Sequence, residues 1–175
     1  DGNHGLYVET DPTNPVNIYA KSKLYGENFV REYCKNYLIL RTNFYGNNEE
    51  GKHLFNWILS SLEDNKIITG FDDVIFNPLE VSNLSKMILE ISLSGNVGIF
   101  HLSSNEVFSK YQFAQKIAEY LGKNKDLIRR GSIKDLNLSA RRPENTTLSN
   151  EKAQKILHTK IMSLQDWLEQ TIDLN

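Results

Sequence analysis

Apolar positions along the first third of the chain change between a helical and a strand-like period. Residues 15–35 are mostly good helix formers; Asn14 can cap a helix, Pro15 fits its first position, and Asn36 ends the run. Residues 37–40 are a continuous apolar run of strand length, which is typical of a buried parallel strand. Residues 53–62 return to the helical period. The pattern predicts helix, strand and helix in succession.

The remaining two thirds continue this alternation. Two short strands, 66–70 and 74–76, flank an Asp72-Asp73 turn and predict a hairpin outside the main sheet. A helix beginning at Ser82 or Asn83 and a helix capped by Ser109 surround a buried strand at 97–102. Their predicted inward residues are Leu84, Met87, Ile88 and Ile91 in the first helix, and Tyr111, Phe113, Ile117, Ala118 and Leu121 in the second. Gly122 stops the second helix, residues 127–147 read as loop, and short helices follow at 150–157 and 163–172.

Alternating strands and helices predict an α/β fold, in which covering helices flank a parallel sheet with right-handed crossovers. About two of the predicted strands belong to that sheet. A ligand site in such a fold lies outside the carboxyl ends of the strands.

Composition narrows the function classes. The 175 residues are 39% hydrophobic with a net charge of −2, as expected for a cytoplasmic globular domain. The basic pairs Arg129-Arg130 and Arg141-Arg142 are too short for a nucleic-acid surface, and no apolar run reaches the length of a membrane span. The four histidines have no metal-ligand spacing, so the sequence predicts no metal site.

Tyr19 and Lys23 are the most informative pair in the sequence. Four residues apart on a helix, they lie on one face, where a cation stabilises a phenolate and makes a phenol a usable acid nearer neutrality. Such a pair suits chemistry at a carbonyl or alcohol carbon. The spacing alone is common on amphipathic surfaces, so the surrounding residues must decide.

Five segments in order carry a family likeness. They are residues 1–27 with Tyr19 and Lys23, Leu40-Arg41-Thr42-Asn43-Phe44-Tyr45-Gly46, Pro78-Leu79-Glu80-Val81-Ser82-Asn83-Leu84, Gly98-Ile99-Phe100-His101-Leu102-Ser103, and Arg141-Arg142-Pro143 with Leu148-Ser149-Asn150. Together they resemble the extended short-chain dehydrogenases/reductases, and among them the dTDP-4-dehydrorhamnose reductases.

The resemblance implies the C-terminal part of a Rossmann-like NAD(P)-binding domain plus a small mixed α/β substrate-binding lobe. Residues 1–42 and 83–121 would form the first, and 43–82 and 122–175 the second. No Gly-x-Gly-x-x-Gly motif occurs in the 175 residues. We therefore expect that the cofactor-binding half, including a catalytic Ser or Thr, precedes Asp1 in a longer protein, and that it is a partner of this fragment.

The resemblance also implies roles for six residues. Tyr19 would protonate a keto oxygen while NADPH or NADH delivers hydride, and Lys23 would tune Tyr19 and bind the nicotinamide ribose. Asn43 would contact the cofactor and Phe44 the substrate, unless they form a simple strand-end turn. Arg141 and Arg142 would bind the pyrophosphate of the substrate, unless they are a solvated surface pair.

The implied function is NAD(P)H-dependent reduction of the 4-keto group of a nucleotide sugar. A nucleotide-sugar epimerase or dehydratase would share Tyr19 and Lys23 and stays open as an alternative. A non-catalytic regulatory or sugar-nucleotide-binding subunit is an alternative of another class. Tyr25, Phe29 and Tyr33 read as packing residues of the catalytic helix, with a homodimer contact as one option.

Overall fold

A computed structural model describes residues 1–47 and 53–172, with side chains up to residue 170. In these residues the helices are α1 (Ile18–Tyr33), α2 (Leu54–Glu63), α3 (Val81–Leu93), α4 (Lys110–Tyr120), α5 (Glu151–Gln154) and α6 (Leu164–Ile172). The strands are β1 (Leu38–Thr42), β2 (Phe44–Tyr45), β3 (Ile68–Phe71), β4 (Ile75–Phe76), β5 (Leu79–Glu80), β6 (Gly98–Leu102), β7 (Phe108–Ser109) and β8 (Ile128–Gly131). Short 3₁₀ turns cover Lys125–Leu127 and Ile133–Asp135.

Strands β1 and β6 form the predicted parallel pair. Their register runs from Leu38 opposite Gly98 to Thr42 opposite Leu102. Helix α3 and the preceding chain make the crossover between them, as the alternating pattern predicted. The carboxyl ends of both strands therefore point to the same edge, where Asn43 and Ser103 follow.

The predicted hairpin between residues 66–70 and 74–76 is wrong. Strand β3 pairs in parallel with β8, and β4 pairs antiparallel with β7. Strand β8 lies within the segment that the sequence pattern assigned to loop, because its two central residues, Arg129 and Arg130, are exposed and interrupt any apolar run. The fourth pair, β2 with β5, is parallel.

Helix α1 begins later than predicted. Its N-cap is Asn17, whose side-chain oxygen accepts a hydrogen bond from the Ala20 main-chain nitrogen at 2.8 Å. Asn14 and Pro15 thus precede the helix rather than open it. The Asn17 side-chain nitrogen also donates to the Arg141 carbonyl at 2.8 Å, which fixes the loop before Pro143 to the start of α1.

Helices α3 and α4 are capped by side chains, as helix starts require. Helix α3 begins at Val81, one residue before the predicted Ser82, and its cap Glu80 accepts from the Ser82 and Asn83 main-chain nitrogens. Ser109 caps α4 as predicted and forms a reciprocal capping box with Gln112. Ile88 of α3 was predicted to face inward but is 38% exposed, at the edge of the buried stripe.

Two hydrophobic cores organise the molecule. The first joins α2, α4 and α6 to β3, β4 and β8, with Phe113, Ile117, Ile58, Trp167 and Leu168 among its buried members. The second joins α3 to β5 and β6 through Leu79, Met87, Ile91, Phe100 and Leu102. Helix α4 packs entirely in the first core. A Cβ atom at Gly70 would lie 2.6 Å from the Tyr111 Cα, so only glycine allows this close approach of β3 and α4.

Helix α1 contributes no buried residue to either core. Tyr25, Phe29 and Tyr33 were predicted to pack, yet they lie exposed along one stripe, with the Phe29 and Tyr33 rings stacked at 6.2 Å. A contact that covers them must come from outside the described residues.

Candidate functional site

Tyr19 and Lys23 lie on one face of α1, as the four-residue spacing predicted. The Lys23 Nζ is 5.2 Å from the centroid of the Tyr19 ring, within range of a cation–π contact. The Tyr19 side chain is 72% exposed, so its hydroxyl is accessible to a ligand.

Tyr19 stands where two clefts meet. A large cleft of about 1210 Å³ extends from the start of α1 to α2, β3 and α4, and its walls include Trp57, Ile67 and Phe71. A small cleft of about 390 Å³ extends from Tyr19 and Lys23 toward the ends of β1 and β6. Tyr19 and Thr146 line both clefts, so a group bound in either one can reach the Tyr19 side chain.

Asn43 lies in the small cleft with Tyr19 and Lys23. Its side-chain nitrogen donates to the Thr146 carbonyl at 2.9 Å, and its own carbonyl accepts from the Leu79 main-chain nitrogen at 2.8 Å. Asn43 therefore ties the end of β1 to the loop that carries Thr146, and it shapes the small cleft as well as lining it.

A partly buried ion pair holds α1 beside the sheet. The Arg41 guanidinium on β1 donates two hydrogen bonds, at 2.8 and 2.6 Å, to the two carboxylate oxygens of Glu27 on α1. The hydrogen bonds that Arg41 donates to Glu27 raise the pKa of Arg41, which keeps the guanidinium charged. Both residues line the small cleft, and Glu27 lies on α1 one turn beyond Lys23 and two turns beyond Tyr19.

His101 closes the small cleft from the sheet side. It is buried, its Nδ1 donates to the Tyr7 carbonyl at 3.0 Å, and its main-chain nitrogen donates to Glu9 at 2.9 Å. Burial lowers the pKa of His101, although Glu9 opposes that shift. His101 is therefore a core residue of the sheet.

The predicted substrate residues are not all brought together. Arg142 lines the large cleft, whereas Arg141 is held by its carbonyl to Asn17 and does not line it. Phe44 is exposed and lines neither of the two clefts. Its neighbour Tyr45 is buried in the first core, where burial raises the pKa of its phenol.

Lys110, the first residue of α4, also lines the large cleft and was missed by sequence reasoning. Its Nζ lies 3.2 Å from the centroid of the Phe76 ring, and burial lowers the pKa of Lys110 to about 8. Its position directly after the predicted cap Ser109 was a usable signal, since that cap already placed it at a helix start. Thr146 gave no such signal within a segment that read as loop.

Among residues 1–47 and 53–172, no group of three or more His, Cys, Asp or Glu side chains gathers as metal ligands do. Within the same residues, no helix is both long and apolar enough to cross a membrane.

A sequence profile of the RmlD substrate binding domain matches residues 1–175. The chain belongs to this family. The match spans every element described above and includes both clefts.

Three relatives illustrate the range of the RmlD family likeness. The probable low-salt glycan biosynthesis reductase Agl14 of Haloferax volcanii is 31% identical over 166 residues, covering 93% of this chain and 55% of that protein. A crystal structure of dTDP-4-dehydrorhamnose reductase from Bacillus anthracis in complex with NADP has a TM-score of 0.88 at 26% identity, covering 99% of this chain and 62% of that one. Methionine adenosyltransferase 2 subunit beta of Rattus norvegicus is 28% identical over 178 residues, covering 89% and 49%.

The structural likeness confirms the predicted α/β fold and the family resemblance read from the five segments. The RmlD-type chain spans about half the length of the curated relatives it matches.

Proposed function

We propose that the protein containing this chain reduces the 4-keto group of a nucleotide-linked sugar at the expense of NADPH or NADH. The observation that carries the proposal is the position of Tyr19 at the junction of the two clefts, with Lys23 one turn away. The name of the structural relative from Bacillus anthracis, a dTDP-4-dehydrorhamnose reductase with NADP, supports this choice of reaction.

The small cleft suits the nicotinamide end of the cofactor. Its hydroxyl and ammonium groups, from Tyr19 and Lys23, stand on one wall and the sheet edge with Asn43 forms the other. Lys23 would hold the nicotinamide ribose, and when bound the cofactor supplies the hydride that reduces the keto carbon. We propose that residues outside these 175 bind its pyrophosphate, since the relatives are about twice as long and this chain carries no glycine-rich dinucleotide loop.

The Tyr19 hydroxyl would act as the general acid of the reaction. It donates its proton to the keto oxygen as the carbon accepts hydride, so that the carbonyl becomes an alcohol. The Lys23 ammonium stabilises the phenolate that this transfer leaves on Tyr19. Glu27 and Arg41 are positioning residues, since they hold α1 against β1.

The large cleft would hold the nucleotide sugar. Its volume of about 1210 Å³ is ample for such a ligand, and its apolar walls, including the half-exposed Trp57, suit a nucleobase. Arg142 would contact the pyrophosphate. The proposed substrate-binding lobe consists of 43–82 and 122–175, and the proposed Rossmann-like part consists of 1–42 and 83–121.

The test is steady-state kinetics of the complete gene product with dTDP-4-dehydrorhamnose and NADPH. Tyr19→Phe should lower kcat by about 10²- to 10⁴-fold, the usual contribution of a general acid. Tyr25→Phe is the matched control: it lies on the same helix, is equally exposed and lines neither cleft, and it should leave kcat unchanged. Equal activity of the two variants would refute the role of Tyr19.

Two alternatives give different results in that assay. An epimerase or dehydratase would convert a nucleotide sugar with no net consumption of NADPH. A non-catalytic subunit is favoured by the relative from Rattus norvegicus, which is named as a subunit of methionine adenosyltransferase. That reading predicts no turnover by wild-type protein that nevertheless binds NADPH. We further propose that the protein is cytoplasmic.

A further inference from the structure

The large cleft has an excess of positive charge, and the function proposed above gives a role to only one of its cations, Arg142. Two cationic side chains, Lys110 and Arg142, line it, and none of its described lining residues is an aspartate or glutamate. The rest of the lining is mainly apolar. A cation in such surroundings costs free energy unless an anion neutralises it, so the cleft is built for an anionic ligand.

Lys110 has no charged partner among the residues that the structure describes. Within residues 1–47 and 53–172, its Nζ has no ion pair or hydrogen bond, and its one charge contact is the face of Phe76 at 3.2 Å. An aromatic face attracts a cation but leaves the ammonium hydrogens available as donors. By contrast Lys116, on the same helix, lies 3.7 Å from Glu119 and is exposed.

The backbone fixes Lys110 at this place. Its main-chain nitrogen donates to the Val74 carbonyl at 3.0 Å, and the Ser109 capping box determines where α4 starts. Val74 and Phe76 lie on either side of Ile75 in β4, which pairs with Ser109. The ammonium is therefore held at the cleft wall between the end of β3 and the start of α4.

We propose that Lys110 determines the specificity of this cleft for a nucleoside diphosphate group, its ammonium contacting the diphosphate opposite Arg142. This assignment rests on the proposed nucleotide-sugar function and names a further residue of the same site. The lowered pKa of Lys110, about 8, agrees with an ammonium that has lost water without gaining a counter-ion. At pH 7 the side chain is still mainly charged.

The test is calorimetric titration of the complete protein with dTDP and with thymidine. Lys110→Met should weaken dTDP binding by about 10- to 100-fold, the loss of one charge-assisted hydrogen bond, and change thymidine binding by less than about 2-fold. Lys110→Arg should keep most of the dTDP affinity. Lys116→Met is the control on the same helix and should bind dTDP as the wild type does.

Three outcomes distinguish a failure of the Lys110 assignment from a failure of the nucleotide-sugar function. Unchanged dTDP affinity in Lys110→Met, or equal losses for dTDP and thymidine, overturns the Lys110 assignment while the proposed function stands. A wild-type protein that binds neither dTDP nor UDP refutes the nucleotide-sugar function itself.

A second measurement does not depend on the folding of a variant. In trace acetylation of wild-type protein read by mass spectrometry, dTDP should protect Lys110 and leave Lys116 unchanged. Equal labelling of Lys110 with and without dTDP overturns the assignment.

Discussion

Lys110 and Tyr19 line the same cleft but differ in how far the protein encloses their side chains. Tyr19 projects from a helix with no buried face, so its hydroxyl is open to ligand. Lys110 is enclosed beside Phe76, and its charge is tolerated because the cleft opens on one side. Sequence reasoning found the first residue, because local spacing defines a pair on a helix. It missed the second, because enclosure depends on β4 and α4 meeting in three dimensions.

Replacement of Lys110 by Met should stabilise the free protein. The pKa of Lys110 falls from 10.5 to about 8 on burial, a cost on the order of 3 kcal/mol at neutral pH, which the Phe76 contact offsets in part. We expect Lys110→Met to gain about 1–2 kcal/mol in urea unfolding near pH 7. Lower stability of this variant than of the wild type would contradict the enclosure of an unpaired charge.

The free-energy cost of burying the Lys110 charge depends on pH. Because the folded-state pKa of Lys110 is lower than its unfolded value, the unfolded chain holds more protons between pH 8 and 10.5, and wild-type stability gains over that window. The gain in unfolding free energy of Lys110→Met over the wild type should therefore be full below about pH 8 and shrink as the pH rises toward 10. Unfolding curves at several pH values measure it, with Lys116→Met as the flat reference.

At the scale of elements, most helices and the central strand pair could be predicted from the sequence. Helix periodicity and caps such as Ser109 are local, and the apolar runs of β1 and β6 are continuous because both strands are buried. Strand β8 could not be predicted, since its pairing with β3 joins residues about sixty apart and its side chains alternate poorly. The short strands β3 and β4 pair with strands distant in the chain rather than with each other, which is why the hairpin prediction was wrong.

The ion pair between Glu27 and Arg41 should contribute more to the stability of the fold than exposed surface ion pairs do. Their side chains are about one-fifth exposed, so Glu27→Gln leaves a partly buried guanidinium without its counter-charge. We expect a loss of about 1–2 kcal/mol in unfolding free energy and a reduced kcat in the complete protein, because α1 carries Tyr19 and Lys23.

Asp64→Asn is the control for that experiment. Asp64 pairs with Lys66 at 2.8 Å, but both side chains are more than half exposed, and its loss should cost less than about 0.5 kcal/mol. Equal costs for the two substitutions would mean that the Glu27–Arg41 pair does not anchor α1.

At the scale of the whole molecule, the main feature is the face of α1 against which none of the described residues packs. Tyr25, Phe29 and Tyr33 form an exposed aromatic stripe on a helix that neither core covers, and β1 pairs on one side only among the described strands. Exposed apolar surface and open strand edges favour association. The likeness to relatives about twice as long agrees with a further segment that covers this face.

The 175 residues expressed alone should therefore self-associate in sedimentation velocity experiments. Phe29→Glu together with Tyr33→Lys should shift the chain toward monomer, whereas Leu93→Glu, an equally exposed position at the end of α3, should not. A stable monomer that excludes a hydrophobic dye would contradict the proposal that α1 is normally covered.

The most direct test of the central claim is the fate of hydrogen during turnover. The complete protein is incubated with dTDP-4-dehydrorhamnose and NADPH deuterated at its reactive carbon, and the product is examined by NMR. Reduction predicts one deuterium at the former keto carbon for each NADPH consumed, and loss of this incorporation in Tyr19→Phe. Product without deuterium, or no product from a protein that binds both ligands, would contradict the assignment as a reductase.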